Sequence, residues 1–131
     1  MHKFNRILLV DHDAQLCLML RSLLENRGYR VAVSSGGVEA HRILREHQIE
    51  LLVADNGFRS TAGLELADYA RTLRIPTMLM SAEFDGEEKL ATGLHPYILK
   101  PFRASEFTDK VQAVLEGSNV VGRSHDSDPV A

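Results

Sequence analysis

Short apolar runs that each stop at a polar or charged residue restrict the fold open to this chain more than any other feature. Ile7-Leu8-Leu9-Val10 stops at Asp11, and Leu51-Leu52-Val53-Ala54 stops at Asp55. Thr77-Met78-Leu79-Met80, started by Pro76, stops at Ser81, and Tyr97-Ile98-Leu99 stops at Lys100-Pro101. A further short strand reads over Arg30–Val33. Uninterrupted apolar runs of this length fit strands buried on both faces. The stretches between them carry helical spacing. Ala14–Asn26 places Leu16, Leu20, Leu23 and Leu24 on one face, with Gly28 at its C-terminal turn. Ser34-Ser35-Gly36-Gly37 leads into a helix near Val38–His47. A loop from Asn56 to Ala62 precedes a helix to about Leu73, with Leu66, Ala70 and Leu73 inward. A short helix over Glu87–Thr92 comes next, and a final one over Ser105–Glu116 turns Phe107, Val111, Val114 and Leu115 to the core.

Strands of this kind alternating with amphipathic helices predict an α/β fold with a doubly wound, five-stranded parallel sheet and helices on both faces. With right-handed crossovers, the expected strand order is 2-1-3-4-5. The switch point of that order lies between strands 1 and 3, which sets Asp11 beside Asp55. All the polar strand ends then meet at one edge of the sheet. Residues 1–116 read as one domain. From Gly117 the apolar period stops, and 117–131 reads as a flexible tail of Gly, Ser, Asn and Asp with one Pro.

The 131 residues suit a single domain, and 44% hydrophobic content supplies one real core. A net charge of −3 leaves no broad basic footprint, which argues against direct nucleic-acid binding. No apolar run nears the ~20 residues of a membrane-spanning helix. The apolar run behind the basic N-terminus is cut short by Asp11, so it does not form a signal-peptide core. The lone Cys17 has no partner in the chain for a disulfide, which fits a cytoplasmic setting.

Two carboxylates, a hydroxyl and an ammonium at neighbouring strand ends suit a site that accepts and holds a phosphoryl group. A carboxylate can attack phosphorus and form a mixed anhydride, while fixed positive charge and donors hold the equatorial oxygens. The residues Ile7-Leu8-Leu9-Val10-Asp11, Asp55 with Gly63-Leu64-Glu65-Leu66, Pro76 through Ser81-Ala82, and Tyr97-Ile98-Leu99-Lys100-Pro101-Phe102 appear in that order. In them the chain resembles the receiver domain of two-component response regulators, from Asn5 to about Glu116. The resemblance implies a flavodoxin- or receiver-like fold with Asp55 as phosphoacceptor. It implies Ser81 as the hydroxyl that follows the phosphoryl group, Lys100 as the lysine that contacts it, and Tyr97 as an aromatic switch. It further implies Mg2+ held by Asp11, Asp55 and the backbone carbonyl of Gly57, with Gly57 and Glu83 placed to affect water access. A histidine kinase or phosphotransfer protein would be the donor. The downstream protein would read the face made by the fourth helix, the fifth strand and the fifth helix. The chain is then a stand-alone phosphoacceptor signalling domain rather than an enzyme, although it assists its own phosphoryl transfer and hydrolysis. With no output domain after it, its signal passes to another protein, or the chain is a truncated form.

The pattern is broken in places. His12 stands where the family has its second adjacent acid, and Asp13 follows it. Imidazole is a poor Mg2+ ligand and suits softer metals. His12 therefore reads as a tolerated pocket substitution, while Asp13 is either a substitute metal ligand or the N-cap of the first helix. Arg59 stands where the family often has proline, and Pro96 precedes Tyr97. His12 motivates a second reading, a degenerate receiver that binds partners without phosphorylation. A third reading takes Asp11-His12-Asp13 as the Asp-x-Asp nucleophile motif of haloacid-dehalogenase-type phosphatases, but neither a cap domain nor that family's downstream acidic pair is present. His41 reads as a packed interface histidine, and His2, His47, His95 and His125 read as surface residues.

Overall fold

The computed structural model describes residues 6–55, 62–82 and 95–117. In chain order these form β1 (Arg6–Val10), α1 (Ala14–Asn26), β2 (Arg30–Ser34), α2 (Gly37–Glu46) and β3 (Leu51–Asp55). There follow α3 (Ala62–Thr72), β4 (Thr77–Ala82), β5 (Tyr97–Lys100) and the final helix, α4 (Ala104–Gly117). The strands make one parallel sheet in the order β2-β1-β3-β4-β5, as the sequence predicts. The helix expected over Glu87–Thr92, the loop carrying Gly57 and Arg59, Glu83 and the tail after Gly117 lie outside the described residues.

Side chains alternate across the sheet, so each strand feeds two cores. Leu8, Leu52, Ala54 and Leu79 pack on one face against α2 and α3, through Ala40, Ile43, Leu44, Leu66, Ala67 and Ala70. Ile7, Leu9, Leu51, Val53, Met78 and Met80 pack on the other face against α1 and α4, through Leu20, Leu24, Phe107, Val111 and Leu115. Burial on both sides is why β1 and β3 read as unbroken apolar runs.

Helix α1 closes with paired bonds from Gly28 N to Glu25 O at 3.0 Å and Tyr29 N to Leu24 O at 3.1 Å. Gly28 takes the left-handed turn this requires, at φ 96°. Helix α3 closes the same way, with Arg74 N on Arg71 O and Ile75 N on Ala70 O, both at 2.9 Å. Here a side-chain-bearing residue, Arg74, holds the left-handed position at φ 64°. That turn corrects one sequence expectation. Leu73 lies past the end of the helix and is 39% exposed, and Ala67 takes the inward position instead. Arg74→Gly is expected to stabilise the fold by about 0.5–1 kcal/mol, because glycine adopts this backbone without a Cβ penalty. A rise in the urea midpoint at unchanged slope would show it.

Smaller differences concern ends. Helix α2 begins and finishes one residue earlier than its spacing suggests, and β2, β4 and β5 each run on beyond their apolar cores. The lengthening matters in β4 and β5, since it carries Ser81 and Lys100 inside the hydrogen-bonded ladder, paired with Leu99 and Ala82.

Candidate functional site

The charged groups converge because they share one phase of the sheet. Asp55 lies in step with Leu51 and Val53, and Lys100 in step with Ile98, all directed to the face covered by α1 and α4. Asp11, one residue past β1, continues the phase of Ile7 and Leu9 and keeps a ladder bond from its N to Ser34 O at 3.2 Å. At the C-terminal ends of these strands the Lys100 ammonium joins the two carboxylates. Its Nζ donates to Asp11 Oδ2 at 3.1 Å and to Asp55 Oδ1 at 3.0 Å. The Asp11 side chain is 1% exposed and that of Asp55 12%, so these ion pairs are largely removed from water. Burial pushes the Lys100 pKa down, but hydrogen bonds and charge from Asp55, then Asp11, outweigh it and hold the ammonium above its ordinary range.

Neighbouring groups fix Asp11. Its Oδ1 accepts the Asp13 N–H at 2.9 Å. Its carbonyl accepts from the Cys17 thiol, Sγ to O at 3.5 Å. Burial first, then the charges of Asp11 and Asp13, raises the Cys17 pKa, so this buried thiol stays protonated and serves as a donor. Nothing in the sequence marked Cys17 for this contact beyond its helical position three residues after Ala14.

Asp13 turns away from the cluster and caps α1, accepting from Leu16 N at 3.1 Å. Of its two alternatives, the cap is the one seen. Asp13→Ala should therefore lower stability by about 1 kcal/mol, the usual worth of such a cap, and leave the affinity for divalent cations within about twofold. Chemical denaturation beside calorimetric metal titration checks both halves.

His12 is exposed, with Nδ1 3.8 Å from Asp11 Oδ1. Asp11, His12 and Asp55 each bring one ligand atom within 4.8 Å of the others, a group that could hold a metal ion. Two carboxylates suit a hard divalent cation, whereas the imidazole suits a softer one. Ser81 is buried at the end of β4, beside Leu99 of β5. By strand alternation it shares the α2–α3 face with Leu79 and with Tyr97, which is half-buried and packs on that core. The two residues expected to switch thus occupy adjacent strands on one face. The Lys100–Pro101 peptide is cis.

Among the other histidines, His41 is packed as expected, its ring 4.6 Å from that of Tyr69 and its Nδ1 3.0 Å from Gly37 O. His95 corrects its reading as a surface residue. Its side chain is 8% exposed, and its Nε2 lies 3.5 Å from Asp68 Oδ1 on α3. No helix among the described residues is long and apolar enough to cross a membrane.

The model of the response regulator receiver domain matches residues 7–112. The transcriptional regulatory protein KdpE of Mycobacterium tuberculosis (strain H37Rv) is 31% identical over 113 residues, covering 83% of this chain and 50% of the relative. CpxR of Escherichia coli (strain K12), also a transcriptional regulatory protein, is 33% identical over 119 residues, covering 88% of this chain and 51% of the relative. The chain thus spans about half the length of these relatives. A CheY-like receiver domain protein from Methanospirillum hungatei JF-1 has the same fold, with a TM-score of 0.78 at 22% identity over 89% of this chain and 98% of that one. The strand order, the Asp11–Lys100–Asp55 cluster at the strand ends and these matches lead to one assignment: the chain belongs to the response regulator receiver domain family.

Proposed function

We propose that this domain accepts a phosphoryl group on Asp55 from a histidine kinase or phosphotransfer protein in the cytoplasm and thereby switches a protein-binding face. The carrying observation is the Lys100 ammonium held 3.0 Å from Asp55 and 3.1 Å from Asp11. An Asp55 oxygen attacks phosphorus as the bond to the donor's imidazole nitrogen breaks, giving an aspartyl-phosphate. Charge spreads over the equatorial oxygens in this step, so positioning and positive charge are the main demands on the protein. Lys100 already stands beside the acceptor and needs little rearrangement to meet that charge. Asp11 and Asp55, with the Gly57 carbonyl, would hold the divalent cation, which would neutralise charge on the phosphoryl oxygens. Ser81 and Tyr97, on neighbouring strands and one face, then transmit the change toward β5 and α4. The receiver unit in this reading is residues 1–116, with the last turn of α4 ending at Gly117.

A second reading, binding without phosphorylation, is favoured by one observation, the His12 imidazole beside Asp11 where a further acid would strengthen the cation site. Incubation with a small-molecule phosphodonor, with and without Mg2+, followed by intact-mass measurement separates the two. One added phosphoryl group, absent in Asp55→Asn, is the expected result. No addition, while a working receiver in the same tube is modified, would favour the binding-only reading and make partner capture the next step.

A further inference from the structure

The phosphoacceptor reading gives the His12 imidazole no task. Its side chain is 82% exposed at the edge of the cluster. The Asp11 carboxylate has three neighbours, since its Oδ1 also accepts the Asp13 N–H at 2.9 Å. Oδ2 takes the Lys100 ammonium at 3.1 Å, and Oδ1 lies 3.8 Å from His12 Nδ1. One ligand atom each from Asp11, His12 and Asp55 already lies within 4.8 Å of the others. Metal–ligand bonds of about 2.1 Å place ligand atoms about 3–4 Å apart, so a turn of the exposed ring closes the remaining distance. Asp13, the other candidate at this turn, is committed to Leu16 N at 3.1 Å.

The donor set is therefore two carboxylates and one imidazole nitrogen. Lys100 also offsets one of the two negative charges. The lysine weakens every divalent cation alike, so it is the nitrogen ligand that counts against Mg2+, which prefers oxygen ligands. The nitrogen ligand favours an ion that gains from imidazole, in the series that rises from Co2+ through Ni2+ to Cu2+ and falls again at Zn2+.

We infer that the cation site of this domain takes a divalent first-row transition metal in preference to Mg2+, with His12 as a direct nitrogen ligand beside Asp11 and Asp55. This rests on the proposed phosphoacceptor site for its location, but its test uses no phosphodonor. Co2+ is the probe, titrated into unphosphorylated protein by visible absorption and calorimetry, with Mg2+ titrated in parallel. His12→Ala is expected to weaken Co2+ binding at least about tenfold and to leave Mg2+ affinity within about twofold. Asp55→Asn should weaken Co2+ as well. Proton NMR of the Co2+ form should show one strongly shifted imidazole N–H that disappears in His12→Ala. Equal Co2+ affinity in the wild type and His12→Ala would overturn the inference, as would parallel loss of both metals. A shifted imidazole signal that survives in His12→Ala, or Co2+ binding indifferent to Asp55→Asn, would do the same. Co2+ bound through His12 in a protein that takes no phosphoryl group would end the acceptor reading and leave this one standing. Phosphorylation with Mg2+ and no His12-dependent Co2+ binding would do the reverse.

Discussion

Lys100→Met should slow phosphoryl acceptance at Asp55 by about a hundredfold or more, the usual cost of removing one fixed charge aimed at a developing anion. It should also destabilise the fold. Methionine keeps most of the length and loses the charge, so Asp11 and Asp55 remain at 1% and 12% exposure without the ammonium that pairs them. Breaking a fully buried pair costs about 3–5 kcal/mol. The 28% exposure of Lys100 admits solvent screening, which reduces the expectation to about 1–3 kcal/mol. The pH dependence gives a sharper test. Burial lowers the Lys100 pKa, but Asp55 followed by Asp11 raises it by more, so the folded protein binds this proton more tightly than the unfolded chain does. The stabilisation is then complete below the ordinary lysine value of 10.5 and is lost as pH rises through the higher folded value. Tyr29, raised by burial, takes stability away in the same direction above its ordinary 10.0. The difference between wild type and Lys100→Met, followed by urea unfolding from neutral pH to above 10.5, isolates the lysine. The gap should shrink as pH rises. A constant gap would mean that the ion pairs do not account for the loss.

Phe107→Ala should remove about 3–5 kcal/mol, a large part of the roughly 5–15 kcal/mol that holds a domain together. Phe107 is fully buried under the sheet, in the core shared by Ile7, Leu9, Val53 and Met80. Its ring also stacks on Phe102, with centroids 5.4 Å apart and planes 17° from parallel. Truncation leaves a cavity bordered by strands, which relax little, so both the transfer and the cavity contributions are felt. Phe107→Leu should recover most of the loss. Urea midpoints at constant slope measure both variants, and a loss below about 1 kcal/mol for alanine would show that α4 is not docked through this ring.

Strands β1 and β3 were legible because burial on both faces forbids polar residues within them, so the chain spells them as unbroken apolar runs. Their polar ends followed from the same fact, and the strand order then brought Asp11 beside Asp55 without any contact being known. The Asp11–Lys100 pair joins residues 89 apart and was reachable only through that order and the family resemblance. Local pattern failed where the cause was tertiary. His95 precedes Pro96 with no apolar rhythm around it in the sequence, and its Nε2 lies 3.5 Å from Asp68 Oδ1 on α3, a residue far from it along the chain. Leu73 continued the helical period, but the left-handed turn at Arg74 had already taken the backbone out of the helix. Asp13 offered two chemistries that only a hydrogen bond to Leu16 N could separate.

The position of β1 between β2 and β3 also bears on how the chain reaches this state. Its parallel neighbour β2 follows after a single helix, α1, but the other edge of β1 has no partner until a second helix has been made and β3 arrives. Parallel partners of this kind meet only after a long stretch of chain has been closed into a loop, which makes their pairing a slow event. Until then the β3-facing edge of Ile7, Leu8 and Leu9 would stand open, and a second unfinished copy of the chain could compete with β3 for it.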